Sequence, residues 1–209
     1  MKSILISTLL IFILNFSSAF SQTKTIVALN AADVIPLRTG ESIPSLTLKN
    51  INGEDTDLSE LISQKPTVLI FYRGGWCPYC NLQLSGLQKI ESDLTALGYQ
   101  IVAISADKPE KIKETITKDI LTYTILSDNN SVASTAFGLA FKVDDNTVEK
   151  YKGYKIDLDE ASGNNNHILP VPAVYLIDTN GKIKFDYYNP DYKTRLDTEE
   201  LLKAANSYK

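Results

Sequence analysis

The sequence predicts an α/β fold in which helices flank a central mixed sheet, with an extra hairpin on the N-terminal side. Residues 66–72 form a continuous apolar, β-branched run, which is typical of a strand covered on both faces. Strand and helix patterns alternate from there to residue 137. A hairpin pattern and a helix close the chain after residue 174, so one half of the sheet is expected to be parallel and the other antiparallel.

Turn residues and apolar spacing justify the individual elements. Asn52-Gly53 marks the turn of the first hairpin, and Gly98 ends a helix whose apolar residues recur at helical spacing. Asp197 is placed to cap the last helix, with Glu200 three residues later. The predicted order is a hairpin within 43–58, a short helix through Leu58 and Leu61, a strand at 66–72, a helix over 82–97, a strand at 99–105, a helix over 107–120, a strand at 121–128, a helix over 131–137, a polar connection over 144–167, a hairpin over 174–187 and a helix over 197–207. This is the plan of the thioredoxin fold.

Residues 1–21 have the pattern of a secretory signal peptide. Lys2 supplies a positive charge, residues 4–16 are mainly apolar, and Ala19 and Ser21 are the small residues expected before a cleavage site. A membrane anchor is the alternative, but the apolar run is short against the roughly 20 residues needed to span a bilayer. We therefore expect an exported protein, periplasmic or secreted, with no membrane anchor after cleavage and in a compartment that permits disulfides.

The rest of the chain divides into an N-terminal arm, residues 22–42, and one thioredoxin-like domain, residues 43–209. The arm has a mixed composition, so we expect it to be loosely packed. The leader holds one of the 21 basic residues and none of the 25 acidic ones, so its removal changes the net charge from −4 to −5. No basic block is present, which argues against nucleic acid or an anionic membrane surface as a partner.

Both cysteines of the chain, Cys77 and Cys80, lie in the stretch RGGWCPYC. A zinc site usually needs three or four ligands, and only His167 could join the two thiols, so we expect neither a metal nor a cofactor. A structural disulfide of this spacing closes a very small loop and contributes little stability. The use that remains for the pair is redox chemistry.

The position of the motif gives that chemistry a physical basis. Cys77 follows a buried strand and opens a helix, so free N–H groups and the positive end of the helix dipole favour its thiolate. Pro78 suits the first helical position, where no N–H is required, and Trp76 can cover the sulfurs. A CxxC pair preceded by tryptophan in this setting is a specific signal.

The chain contains, in order, FYRGGWCPYCNLQLSGL, SADKPE, LSDNNSVASTAFGL, LPVPAVYLIDTNGKI and NPDYKTRLD. Together these segments resemble the AhpC/TSA peroxiredoxin-like branch of the thioredoxin superfamily over most of residues 43–205. The resemblance implies a thioredoxin-like fold with an extra N-terminal hairpin and a thiol-dependent peroxidase activity. It also implies that Pro172 occupies the cis-proline position facing the sulfurs, while a trans proline at the start of a strand is the alternative.

The chain keeps only the cysteine of the family signature Pro-x-x-x-Thr-x-x-Cys. The peroxidatic cysteine of that signature falls on Cys80, whereas Cys77 stands at the threonine and Arg73 at the proline. The family's second arginine has no counterpart before Pro172. Arg73 and Arg195 are the candidates to supply the missing charge, although an arginine at the end of a strand is more often a surface cation.

The order of attack stays open at this point. In a thioredoxin-like reaction Cys77 is the more exposed sulfur and attacks a substrate disulfide, after which Cys80 resolves the mixed disulfide. In a peroxidase one thiolate becomes a sulfenic acid and the other condenses with it, and the resemblance favours Cys80 for the first step. Both routes end in a Cys77–Cys80 disulfide that an external thiol, such as a thioredoxin-like donor, must reduce.

Three functions follow from these alternatives. The leading hypothesis is reduction of hydrogen peroxide or alkyl hydroperoxides. The second is thiol–disulfide exchange with protein disulfides, and the third is a binding module with an inert disulfide. His167 could carry protons, but an exposed loop side chain is the favoured interpretation. Tyr187, Tyr188 and Tyr192 are expected to serve in packing at the sheet edge.

Overall fold

The secondary structure is taken from a computed structural model that describes residues 26–208, so the predicted signal peptide lies outside the described residues. The strands are β1 (Thr47–Lys49), β2 (Asp55–Asp57), β3 (Thr67–Tyr72), β4 (Gln100–Ser105), β5 (Thr124–Ser127), β6 (Ala140–Lys142), β7 (Ile168–Pro170), β8 (Ala173–Ile177) and β9 (Ile183–Tyr188). The helices are α1 (Leu58–Gln64), α2 (Pro78–Ala96), α3 (Pro109–Asp119), α4 (Val132–Ala136), α5 (Asp145–Gly153), α6 (Leu158–Ser162) and α7 (Thr198–Ser207). A single 3-10 turn, Ala31–Asp33, precedes them in the described part of the chain.

A seven-stranded sheet in the order β2-β1-β5-β4-β3-β8-β9 forms the centre of the fold. Strands β5, β4 and β3 run parallel, while β8 and β9 add to the other side of β3 in antiparallel register. The N-terminal hairpin β1–β2 extends the opposite edge. The predicted mixed sheet with an extra hairpin is therefore confirmed.

Strand β3 is central because β4 and β8 flank it and helices cover both faces. All six of its residues are buried. One face packs with apolar residues of α2, α3 and α7, and the other with those of α1, α4 and the segment before β1. The redox motif follows β3 at its C-terminal end, so the best-protected strand of the sheet holds the motif in place.

Helix α2 begins where the motif predicts. Cys77 is the N-cap with extended backbone angles, and Pro78 is the first helical residue. Cys80, Leu84, Leu87 and Leu94 form the buried stripe of the helix. The predicted capping of α7 is also confirmed, because the Asp197 carboxylate accepts from the backbone N–H groups of Glu199 and Glu200.

The structure corrects two expectations. The polar connection over 144–167 contains the short helices α5 and α6, capped by the side chains of Asp144 and Asp157. The predicted loose arm is partly wrong for its described residues, since Val34 and Leu37 are buried against the sheet. A second small sheet, β6–β7, then leads the chain to Pro172. No helix among residues 26–208 is both long and apolar enough to cross a membrane.

Candidate active site

The two cysteines lie in the first turn of α2 and are both reduced. Their backbones are linked because the N–H of Cys80 donates to the carbonyl of Cys77 at 3.0 Å. The exposed fraction is 1% for Cys77 and 0% for Cys80, so Cys77 is the more exposed sulfur only marginally and both thiols are buried. Neither sulfur therefore presents a surface on which a folded protein could dock directly.

The two thiols differ sharply in acidity. The Cys80 thiol donates a hydrogen bond to Cys77 and, with the charges of Arg73 and Arg195, lowers the pKa of Cys77 to about 6 against the effect of burial. Burial, followed by the hydrogen bond to Cys77 and the charge of its thiolate, raises the pKa of Cys80 well above its ordinary value. At neutral pH the pair therefore holds one proton, with the thiolate on Cys77 and the thiol on Cys80.

Arg73 is buried at the end of β3, with 3% of its surface exposed, so the expectation of a surface cation is wrong. Its guanidinium carbon lies 5.0 Å from the ring centre of Trp76, 5.5 Å from that of Tyr151 and 4.1 Å from that of Tyr192. The Nη2 group also donates to the hydroxyl of Tyr151. Tyr192 is thus part of the site, although the sequence suggested only edge packing.

Arg195 comes from the loop between β9 and α7, and its Nη2 lies 3.3 Å from the Cys80 sulfur. The separation of 115 residues is the reason that sequence reasoning could only name this arginine as a candidate. Its Nε and Nη1 are buried and have no hydrogen-bond partner among the described residues. The guanidinium therefore lies beside the Cys80 sulfur and keeps two buried N–H donors that no described residue uses.

The Gly74-Gly75-Trp76 loop is held by a buried carboxylate that the sequence did not single out. The N–H of Gly75 donates to Asp107 at 2.7 Å, and the indole of Trp76 donates to the same carboxylate. A side chain at Gly74 would collide with both groups, and its φ of 144° is one that side chains rarely adopt. Asp107 follows β4, so two adjacent parallel strands place the loop over the cysteines.

Replacing Gly75 by alanine should destabilise the protein. The added Cβ would lie 1.8 Å from Oγ1 of Thr115 on α3, so the loop and the helix would have to separate. We expect a loss of about 1–3 kcal/mol in the free energy of unfolding, measured with urea. Thr115→Ala in the same chain should restore part of it. Gly153→Ala, which meets nothing within 4 Å, serves as the control and should cost little.

Asp107 also predicts a pH dependence of stability. Burial raises its pKa from 3.8 to about 7, so the folded protein binds a proton that the unfolded chain has lost. The bound proton therefore stabilises the folded protein. This stabilisation is complete below about pH 4 and is lost as the pH rises through about 7, and it changes the free energy of unfolding by on the order of a few kcal/mol. Urea unfolding between these limits should show a weaker decline for Asp107→Asn than for the parent. Burial also raises the pKa of Asp128 to about 6, and this group titrates in both proteins and contributes equally to both slopes. Equal slopes in the two proteins would therefore contradict the assignment to Asp107.

A cleft of about 240 Å³ lies next to Arg73, and Tyr151, Pro172 and Tyr192 also contribute to its walls. Pro172 immediately precedes β8. The described residues contain no cis peptide bond, so the bond before Pro172 is trans and the cis form implied by the resemblance is not found. The trans alternative is the one that the structure supports.

His167 is half-buried, so the expected exposed loop side chain is wrong. Its Nε2 lies 2.7 Å from an oxygen of Asp159 on α6, which ties β7 to that helix. It lines a small cavity together with Arg73, Trp76 and Asp107. Within residues 26–208 no group of three or more histidine, cysteine or acidic side chains is arranged to hold a metal ion.

Comparison with known proteins gives a consistent result. The sequence model of the AhpC/TSA family matches residues 39–186. Peroxiredoxin Bcp of Escherichia coli (strain K12) is 32% identical over 104 residues, which cover 50% of this chain and 66% of that protein, slightly less than two thirds. Chloroplastic peroxiredoxin Q of Suaeda salsa is 27% identical over 194 residues, 93% of this chain and 79% of that protein. Peroxidoxin BcpB from Mycobacterium tuberculosis shares the fold, with a TM-score of 0.64 at 19% identity over 83% of this chain and 99% of its own.

Proposed function

Because the chain belongs to the AhpC/TSA family, we propose that it is a thiol-dependent peroxidase that reduces hydrogen peroxide or alkyl hydroperoxides through Cys77 and Cys80. The observation that carries this proposal is the buried pair with a single shared proton, flanked by the side chains of Arg73 and Arg195. A buried thiolate with adjacent cationic donors suits a small oxidant that needs charge stabilisation on its departing oxygen.

The proposed reaction begins with the Cys77 thiolate attacking the nearer peroxide oxygen. The O–O bond breaks, Cys77 becomes a sulfenic acid, and the departing oxygen takes the proton of the Cys80 thiol. It leaves as an alcohol from an alkyl hydroperoxide and as water from hydrogen peroxide. The Cys80 thiolate then attacks the sulfur of Cys77, which forms the disulfide and releases hydroxide. The family signature favours Cys80 for the first attack. We place the first attack on Cys77 instead, because the lowered pKa of Cys77 puts the thiolate of the reduced pair on that residue.

An external dithiol of thioredoxin type would complete the cycle. It would reduce the Cys77–Cys80 disulfide by exchange and leave as a disulfide itself. We further propose that the protein works outside the cytosol after loss of residues 1–21. In that case the donor is an exported thiol protein, and no cofactor is required.

Thiol–disulfide exchange with protein disulfides is the second candidate. The placement of Cys77 at the N-cap of α2 with its pKa lowered to about 6 favours it, because such a thiolate also attacks disulfides. The burial of both sulfurs weighs against it, because a protein disulfide must meet the attacking sulfur in line.

A direct competition separates the two functions. The fully reduced protein is mixed with hydrogen peroxide or cumene hydroperoxide in a stopped-flow instrument, and thiol loss is followed. In parallel, the reduction of insulin disulfides is measured. We expect peroxide to oxidise the pair much faster than it oxidises free cysteine. A peroxide rate equal to that of free cysteine, together with rapid insulin reduction, would overturn the proposal.

A further inference from the structure

The charge of Arg73 reaches Cys77 without being neutralised on the way. Among residues 26–208 no ion pair involves Arg73, although its side chain is almost fully buried. A buried guanidinium is costly unless other groups stabilise it. Here three aromatic rings supply that stabilisation, and rings do not cancel a charge as a carboxylate would. The thiolate of Cys77 therefore receives the attraction of Arg73.

Stacking against rings does not fix a guanidinium completely. A cation above a ring face can slide and rotate within its own plane at little cost, so a directional contact is needed to set its position. The hydroxyl of Tyr151 provides that contact by accepting from Nη2 of Arg73. The Nε group of Arg73 has no partner among the described residues. Within residues 26–208, the directional contact of this side chain is therefore the one with the Tyr151 hydroxyl.

Tyr151 belongs to the polar segment that sequence reasoning treated as a connection. It lies in α5, and it packs against a cluster of buried residues contributed by β7, by the segment around α5 and α6, and by Ala106 just after β4. Its ring also lies 5.7 Å from that of Trp76, so it contacts two side chains of the motif. The segment over 144–167 thus completes the surroundings of Cys77 from outside the central sheet.

We propose that Tyr151 is a positioning residue whose hydroxyl fixes the Arg73 guanidinium beside Trp76, so that helix α5 contributes to the reactivity of the neighbouring Cys77 thiolate. The role serves the peroxidase reaction proposed above and in that sense rests on it. The thiolate itself can nevertheless be measured whatever the substrate of the protein is.

The test uses the full chain in its reduced form and measures the alkylation rate of Cys77 by iodoacetamide against pH, with the alkylated residue identified by mass spectrometry. Tyr151→Phe removes the hydroxyl and keeps the ring. It should raise the ionisation midpoint by roughly half to one pH unit and slow alkylation about three- to tenfold near pH 5. Tyr154→Phe, an exposed tyrosine just after the same helix, is the matched control and should change neither. Cys80 and Arg195, which also act on Cys77, are the same in all variants.

A double-mutant cycle with Arg73→Met decides whether the hydroxyl acts through the arginine. If it does, Tyr151→Phe should have no further effect once Arg73 is methionine. The proposal fails if Tyr151→Phe leaves the midpoint unchanged while Arg73→Met moves it, or if the two shifts simply add. Peroxide rates are measured separately. If Tyr151→Phe shifts the ionisation midpoint of Cys77 as expected but the protein does not react with peroxide, only the peroxidase function is refuted. If the midpoint is unchanged and the protein reduces peroxide rapidly, only the role of Tyr151 is refuted.

Discussion

Replacing Cys77 by serine is expected to abolish peroxidase turnover and to slow the reaction of the remaining thiol with peroxide by at least about thirtyfold at pH 7. A thiol with a pKa of about 6 is mostly ionised at that pH, whereas an ordinary thiol is ionised to only a few per cent. The variant keeps Cys80, but burial raises the pKa of this thiol, so little of it is ionised at pH 7. Stopped-flow mixing with hydrogen peroxide, followed by trapping of sulfenic acid with dimedone, measures the effect.

The matching changes at Cys80 should behave differently. Cys80→Ser retains a hydroxyl that can donate to Cys77, so sulfenic acid should form on Cys77 at close to the parental rate and then persist, because no resolving thiol remains. Cys80→Ala removes the donor as well, so the pKa of Cys77 should rise and the first step should slow at neutral pH. The comparison separates the hydrogen-bonding role of Cys80 from its resolving role.

The opposite pattern would reverse the proposed order. Fast formation of sulfenic acid in Cys77→Ser, with none in Cys80→Ser, would assign the first attack to Cys80. That is the residue on which the peroxidatic position of the family signature falls. The peroxidase function would survive this outcome, but the argument from the shared proton would not.

Removing the guanidinium of Arg195 is expected to lower the rate constant for peroxide by about a hundredfold. Its Nη2 lies 3.3 Å from the Cys80 sulfur, and its other buried nitrogens have no partner among the described residues. Loss of one preorganised donor to a developing oxyanion typically costs this much. Arg195→Met is the test. Lys193→Met removes an equal charge from an exposed position in the same loop and should have little effect.

The measurement must separate charge stabilisation of oxygen from ionisation of sulfur. Arg195 also lowers the pKa of Cys77, so the peroxide rate is compared with the iodoacetamide rate well above that pKa, where the thiolate is fully formed. We expect a large loss with peroxide and a small loss with iodoacetamide. Equal losses with both reagents would mean that Arg195 acts only on the sulfur, and the assignment of its free donors to the peroxide would then be dropped.

Local patterns were enough to predict most of the fold. The buried strand β3, the N-cap position of Cys77 and the cap at Asp197 all depend on residues adjacent in sequence, and all are found as predicted. Helices α5 and α6 were missed because their apolar residues are few. A signal was present, since Asp157 stands three residues before Glu160 and accepts from its backbone N–H.

The site was predictable only in part, for a different physical reason. The two cysteines and Trp76 are neighbours in sequence, so their association needed no tertiary information. The contact of Arg73 with Tyr151 spans 78 residues and that of Arg195 with Cys80 spans 115. Such contacts follow from how loops pack at the end of the sheet, which no periodicity encodes. The burial of Arg73 was missed for the same reason.

Trp76 is the single tryptophan of the whole chain, and it immediately precedes Cys77. Its ring contacts the guanidinium of Arg73 and the ring of Tyr151, and its indole N–H donates to Asp107. The tryptophan fluorescence of the protein, excited where tyrosine does not absorb, therefore arises from one indole set among the groups that control the thiolate. Each change in the oxidation state of the pair should alter that emission, so both half-reactions can be timed on the unlabelled protein.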